Sequence, residues 1–113
     1  MTIEDYAFGR IRIAGRTYTS DVLVFPDRVE ASWWRKEGHR LVPGDLAEVV
    51  AASPEVLVVG TGALGVMRVP EETVAWLRAQ GIDVRWAKTG EAIGIFNELA
   101  KTRKAVAALH LTC

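Results

Sequence analysis

A single cysteine, Cys113, is all that the 113 residues contain, so no internal disulfide can form and a reducing, cytoplasmic setting is expected. Charge of one sign is also absent. Lys plus Arg and Asp plus Glu stand at 14 each, which removes the summed positive field that holds a phosphate backbone, and nucleic acid is not an expected partner. Every apolar run is broken by Pro, Gly or charge well before the roughly 20 residues that cross a bilayer. The start Met1-Thr2-Ile3-Glu4-Asp5-Tyr6 has neither the basic residues nor the apolar stretch of a secretory signal, so no membrane partner is expected either. The common catalytic signatures are missing too. There is no G-x-S-x-G, no H-E-x-x-H and no G-K-[ST], and no residue is assigned a catalytic role. His110 and Cys113 form an H-x-x-C pair, but a pair supplies only two ligands, and residues three apart in a strand face opposite ways. Neither a metal nor a cofactor is expected.

What is present points to one α/β domain spanning residues 1–113, with 50% hydrophobic residues, enough for a core without staples. The first third reads as antiparallel strands. Arg10-Ile11-Arg12-Ile13 alternates, Ala14-Gly15 turns, and Thr17-Tyr18-Thr19 continues in strand-favouring residues. Asp21 to Phe25 and Val29 to Trp33, joined by Pro26-Asp27, predict a second hairpin, followed by an exposed loop over Arg35 to Arg40. From there the chain alternates helices with short apolar runs. Asp45 and Glu48 open a short helix that Ser53-Pro54 stops, and Val56 to Val59 reads as a strand buried on both faces. Pro70, Glu71 and Glu72 begin a helix that Gly81 ends, and Ile82 to Ala87 is the next strand. Thr89 caps a third helix with an apolar stripe at Ala92, Ile93, Phe96, Leu99 and Ala100, and Ala105 to Leu111 closes the chain as a buried strand. Strand, helix, strand, helix, strand implies parallel neighbours, with the N-terminal hairpins as an antiparallel layer or edge.

Three features compete as functional surfaces. Gly60-Thr61-Gly62-Ala63-Leu64-Gly65 has the letters of a dinucleotide fingerprint, but Val66 to Pro70 separates it from the helix and Asp83 begins the second strand rather than ending it. The loop is then either a plain turn or an anion nest shared with Lys88 and Thr89, on the edge where open α/β sheets bind ligands. His39, in the polar loop, carries an imidazole able to exchange protons near neutrality, which makes an enzyme built on Gly60, Thr61, Gly62, Lys88, Thr89 and His39 the alternative reading. Trp33-Trp34-Arg35 is the third feature. Alternation sends the two indoles to opposite faces, and an outward Trp beside Arg suits a partner surface.

Those same residues carry a resemblance. Trp33-Trp34-Arg35 through Gly38-His39 to Asp45-Leu46, then Val58 to Gly62, Thr89 through Phe96-Asn97, and Ala107 to Cys113 resemble a small domain-of-unknown-function family. Its eukaryotic members include the adipogenesis-associated Mth938-domain-containing protein and a mitochondrial assembly factor for respiratory complex I. The resemblance covers essentially the whole chain and implies a three-layer β/β/α fold with no established activity. By it, Gly60, Thr61, Gly62, His39 and Phe96 are the conserved-looking positions. The start at Met1 does not resemble the targeting extension of the mitochondrial members, so a complex I role is not expected. The leading expectation is a non-catalytic binding or assembly module for a protein partner, with a homodimer through a hairpin edge as a further expectation.

Overall fold

The computed structural model describes residues 1–113. Strands β1 (Ile3–Ala7), β2 (Arg10–Ile13) and β3 (Arg16–Tyr18) form an antiparallel three-stranded sheet in sequential order. A second, five-stranded sheet contains β4 (Val22–Val24), β5 (Val29–Glu30), β6 (Val56–Thr61), β7 (Asp83–Ala87) and β8 (Ala105–His110) in the order β5-β4-β8-β6-β7. Within it β6 runs parallel to both β7 and β8, whereas β4 is antiparallel to β5 and β8. The hairpins therefore take both expected roles: one makes a separate layer and the other extends the main sheet.

Successive residues of the fully buried central strands face opposite sides of the sheet and divide the core in two. Leu57 and Val59 of β6, with Leu23, Val106 and Ala108, pack beneath α1 (Ala47–Ala52) and α2 (Glu71–Ala79) through Val49, Val74 and Leu77, joined by Leu46 just before α1. Val56 and Val58, with Val22, Val24, Ala107 and Leu109, face α3 (Thr89–Leu99) and the small sheet, meeting Ala92, Phe96, Ile3, Ile11 and Ile13. Two buried faces explain why β6 and β8 read as continuous apolar runs. The Asn97 amide fastens α3 to the small sheet, accepting the Ile3 N–H at 3.0 Å and donating to the Ile3 carbonyl at 2.8 Å. The result is the expected β/β/α arrangement, with α3 set beside the small sheet in the outer layer.

Three local expectations are corrected. The strand predicted from Val29 to Trp33 ends at Glu30, because Ser32 adopts a left-handed φ of 60° and turns the chain out of the sheet. Asp45 does not cap α1 directly; it lies in a 3-10 turn, Pro43–Leu46, where its Oδ2 accepts the Val42 N–H at 3.0 Å. Thr89 is the first residue of α3 rather than its cap, and its hydroxyl bonds elsewhere, as described below. No helix is long and apolar enough to cross a membrane.

Candidate functional site

The register Thr61↔His110 brings the ends of β6 and β8 to one edge of the sheet, where the glycine loop emerges. Gly60 sits so close to its neighbours that a Cβ would stand 2.8 Å from Thr89 Oγ1 and 2.9 Å from Leu109 Cδ2. Thr89 is completely buried there and works in both directions, accepting the Gly62 N–H at 2.8 Å and donating to the His110 carbonyl at 2.6 Å. Gly62 has a φ of +105° and packs against the backbone of Thr112 and Cys113, so only glycine fits.

The loop's donors then find their partners within the chain. Ala63 N–H reaches the Thr112 carbonyl at 2.6 Å, Leu64 and Val66 N–H share a main-chain oxygen of Cys113 at 3.3 and 3.0 Å, and Gly65 N–H bonds the Gly62 carbonyl at 3.2 Å. Met67 N–H bonds the Thr61 carbonyl at 3.1 Å, and Thr89 N–H the Gly62 carbonyl at 3.0 Å. The place an anion would take in the loop is filled by the main-chain oxygens of Thr112 and Cys113. The Thr61 hydroxyl is likewise engaged, donating to Ala87 at 3.0 Å, and the exposed Lys88 side chain lies over Gly65. None of the five main surface clefts gathers Thr61, Lys88 and His39 into one wall. At the Gly60 and Thr89 edge the backbone donors of residues 63–67 are therefore spent within the chain, and the exposed Lys88 ammonium is the donor left to solvent.

His39 belongs to a different cluster. Its ring meets His110 edge to face, with centroids 5.8 Å apart, and His110 in turn belongs to a buried ionic group around Asp21. Asp21 Oδ2 lies 2.8 Å from His110 Nδ1 and 2.7 Å from Arg35 Nη1, while Oδ1 accepts the Leu111 N–H at 2.8 Å. Burial by itself pushes the Asp21 carboxyl up, but the bonds from His110, Leu111 and Arg35 outweigh it and hold the group below the usual carboxylate range. His110 Nδ1 is shared between Asp21 Oδ2 and Arg35 Nη2, the latter at 3.1 Å, which leaves the ring's other nitrogen, Nε2. That Nε2 is buried without a partner. The Tyr6 phenol, whose hydroxyl donates to the Leu111 carbonyl at 2.7 Å, is pushed up by its burial and by the Asp21 charge.

An Asp–His pair with a free Nε2 is half of a general-base device, but this one faces the interior and no hydroxyl or thiol is bonded to it. Its evident work is structural: it ties the start of β4 to the end of β8 and to the 35–39 loop. Arg35 corrects an expectation, since its side chain is only 5% exposed and does not belong to a free surface. It lies 4.8 Å over the Trp33 ring and grips the Gly38 carbonyl at 2.8 Å. Nothing local marks Asp21 in the sequence, because its partner His110 is 89 residues away. The available signal was the lone histidine in an otherwise apolar strand, which needs a polar partner once buried.

The two adjacent indoles do separate, although by a loop rather than a strand. Trp33 is buried and donates from Nε1 to the Asp45 carbonyl at 3.0 Å, whereas Trp34 is 76% exposed. Both line a cleft of about 320 Å³ with Leu23, Glu30, Asp45 and Glu48. Trp86, half-exposed on β7, lines a separate hollow of about 430 Å³ with Val69, Val74 and Ala75.

A mixed five-stranded sheet, covered on one face by helices and on the other by a small antiparallel sheet and α3, defines a Mth938-like α/β domain. The chain belongs to the family described as protein of unknown function (DUF498/DUF598), which it matches over residues 3–110. A conserved hypothetical protein from Pyrococcus horikoshii is 27% identical, with each chain covered over 100% of its length and a TM-score of 0.85. A protein from Bordetella parapertussis is 30% identical over 96% of this chain and 92% of its own, with a TM-score of 0.79. A Mth938-like domain from Bordetella pertussis shares the fold at 24% identity and a TM-score of 0.68, over 97% of this chain and 85% of its own.

Proposed function

We propose that this domain is a non-catalytic binding module of the assembly type, which docks a protein partner at the cleft beside Trp34. The observation that carries the reading is the 76% exposure of the Trp34 indole on a cleft whose other walls include the buried Leu23 and Trp33. A large aromatic left in water gains about 2 kcal/mol or more when a partner covers it, which is the energetic profile of an interface anchor. The resemblance to assembly-related eukaryotic proteins supports the same reading, and a reducing, cytoplasmic compartment goes with it.

The test is affinity capture with wild type, Trp34→Ala and Trp86→Ala, followed by reconstitution with the purified partner. Trp34→Ala is expected to lose the partner while Trp86→Ala, altered at the opposite edge of the sheet, retains it. An identical set of partners for all three proteins overturns the proposal. Sedimentation of the same proteins reports whether a second copy of the chain is that partner.

A further inference from the structure

Resting on that docking reading, we infer that the cleft beside Trp34 receives a cation, the ammonium or guanidinium group of a lysine or arginine on the partner chain. Its walls contain three carboxylates, from Glu30, Asp45 and Glu48, two indoles, and no Lys, Arg or His. The carboxylates differ in what they have left to offer. Asp45 accepts backbone N–H groups on both oxygens, from Lys36 and from Val42, each at 3.0 Å, so it contributes field rather than a free bond. Glu30 shares Oε1 with Arg28 at 3.2 Å and keeps its other oxygen. The Glu48 carboxylate is exposed and makes no hydrogen bond or ion pair within the chain. Beside these acids stands the Trp34 face, the better of the ring surfaces for holding a cation.

Desolvation distinguishes a cation from other occupants. An apolar side chain docked here would cover Glu48 and Glu30 without replacing their water, which is unfavourable, and an anion would meet three like charges. A cation satisfies the acids and stacks on the indole together. The chain already makes such a contact next door, where the Arg35 guanidinium lies over the Trp33 ring at 4.8 Å. The volume of about 320 Å³ is at the small end for ligand sites and suits one extended side chain rather than a cofactor. The cleft also borders β5, an edge strand that pairs only with β4, so a partner segment can run alongside it.

Three acetylated, amidated pentapeptides, identical except for a central arginine, lysine or norleucine, test the inference by titration against the Trp34 indole N–H resonance. The arginine and lysine peptides are expected to shift that resonance and the norleucine peptide to leave it in place. Glu48→Gln is expected to weaken the arginine peptide about two- to fivefold, and Trp34→Ala, followed by the heat of binding because the indole reporter is gone, to weaken it as well. Equal binding of the norleucine peptide overturns the cation inference while leaving the docking reading intact. So does the absence of binding by all three peptides when partner capture still depends on Trp34. Capture that is indifferent to Trp34 overturns both.

Discussion

Asp21 Oδ2 stands 2.8 Å from His110 Nδ1 and 2.7 Å from Arg35 Nη1, so a single carboxylate oxygen joins three segments of the chain. The Arg35 side chain is nearly inaccessible, and its charge has no substitute partner of the same kind when Asp21 is removed. Asp21→Ala is therefore expected to cost about 3 kcal/mol, the usual penalty for leaving one member of a buried ion pair alone. Asp21→Asn preserves the oxygen that accepts the Leu111 N–H and is expected to cost less. Urea unfolding of the two variants beside wild type checks the order.

The same group predicts an acid limb to the stability curve. Because the folded Asp21 carboxyl lies below its ordinary value, the folded state binds fewer protons than the unfolded chain. The stability it confers is fully present above the unfolded value of about 3.9 and is lost as pH falls through the folded one. Urea midpoints measured from pH 6 down to pH 3 are expected to fall more steeply for wild type than for Asp21→Asn. Parallel curves would show that Asp21 is not the group responsible.

Thr89 offers a test of the edge beneath the glycine loop. Thr89→Val removes both the acceptor of the Gly62 N–H and the donor to the His110 carbonyl. A loss of about 2 kcal/mol is expected from these two buried groups, with Thr89→Ser retaining most of it. Thermal unfolding of the pair separates the hydroxyl from the methyl group.

Two glycines are expected to respond in opposite directions to alanine. Gly62→Ala forces a side chain into a φ of +105° against the Cys113 backbone and is expected to lose roughly 3 kcal/mol. Gly94 is an exposed residue within α3 with open space around its Cα, so Gly94→Ala is expected to gain about 0.5–1 kcal/mol by restricting the unfolded chain. Chemical denaturation of both variants, with unchanged circular dichroism at low denaturant, is the measurement.

The carbonyl-filled loop makes a further prediction. Inorganic phosphate and pyrophosphate are expected to leave Tm where it is, because Ala63, Leu64, Gly65, Val66 and Met67 already donate within the chain. A rise in Tm that grows with pyrophosphate concentration and disappears in Lys88→Ala would restore the nest as a ligand site.

The sequence by itself determined which segments are strands and helices in the second half of the chain, because those signals are local. The apolar run at Val56 to Val59 became a strand buried on both faces, and the stripe through Ala92 and Phe96 became the buried side of α3. Pro70 and Gly81 mark the ends of α2 in the sequence as they do in the fold. Turning chemistry was less legible: the alternation through Trp33 argued for a longer strand, and the left-handed turn at Ser32 broke it. Only the tertiary structure decided what the candidate residues do. The glycine loop has the letters of a ligand loop, yet its donors meet the main-chain oxygens of Thr112 and Cys113, which follow β8. His39 was a lone histidine until β8 brought His110 to it, and Asp21 had no visible role until the pairing of β4 with β8 set it against that ring. The physical reason is range. Periodicity and capping act within a few residues, whereas the partner of a buried charge or loop donor is set by strand order and register, which join residues about ninety positions apart.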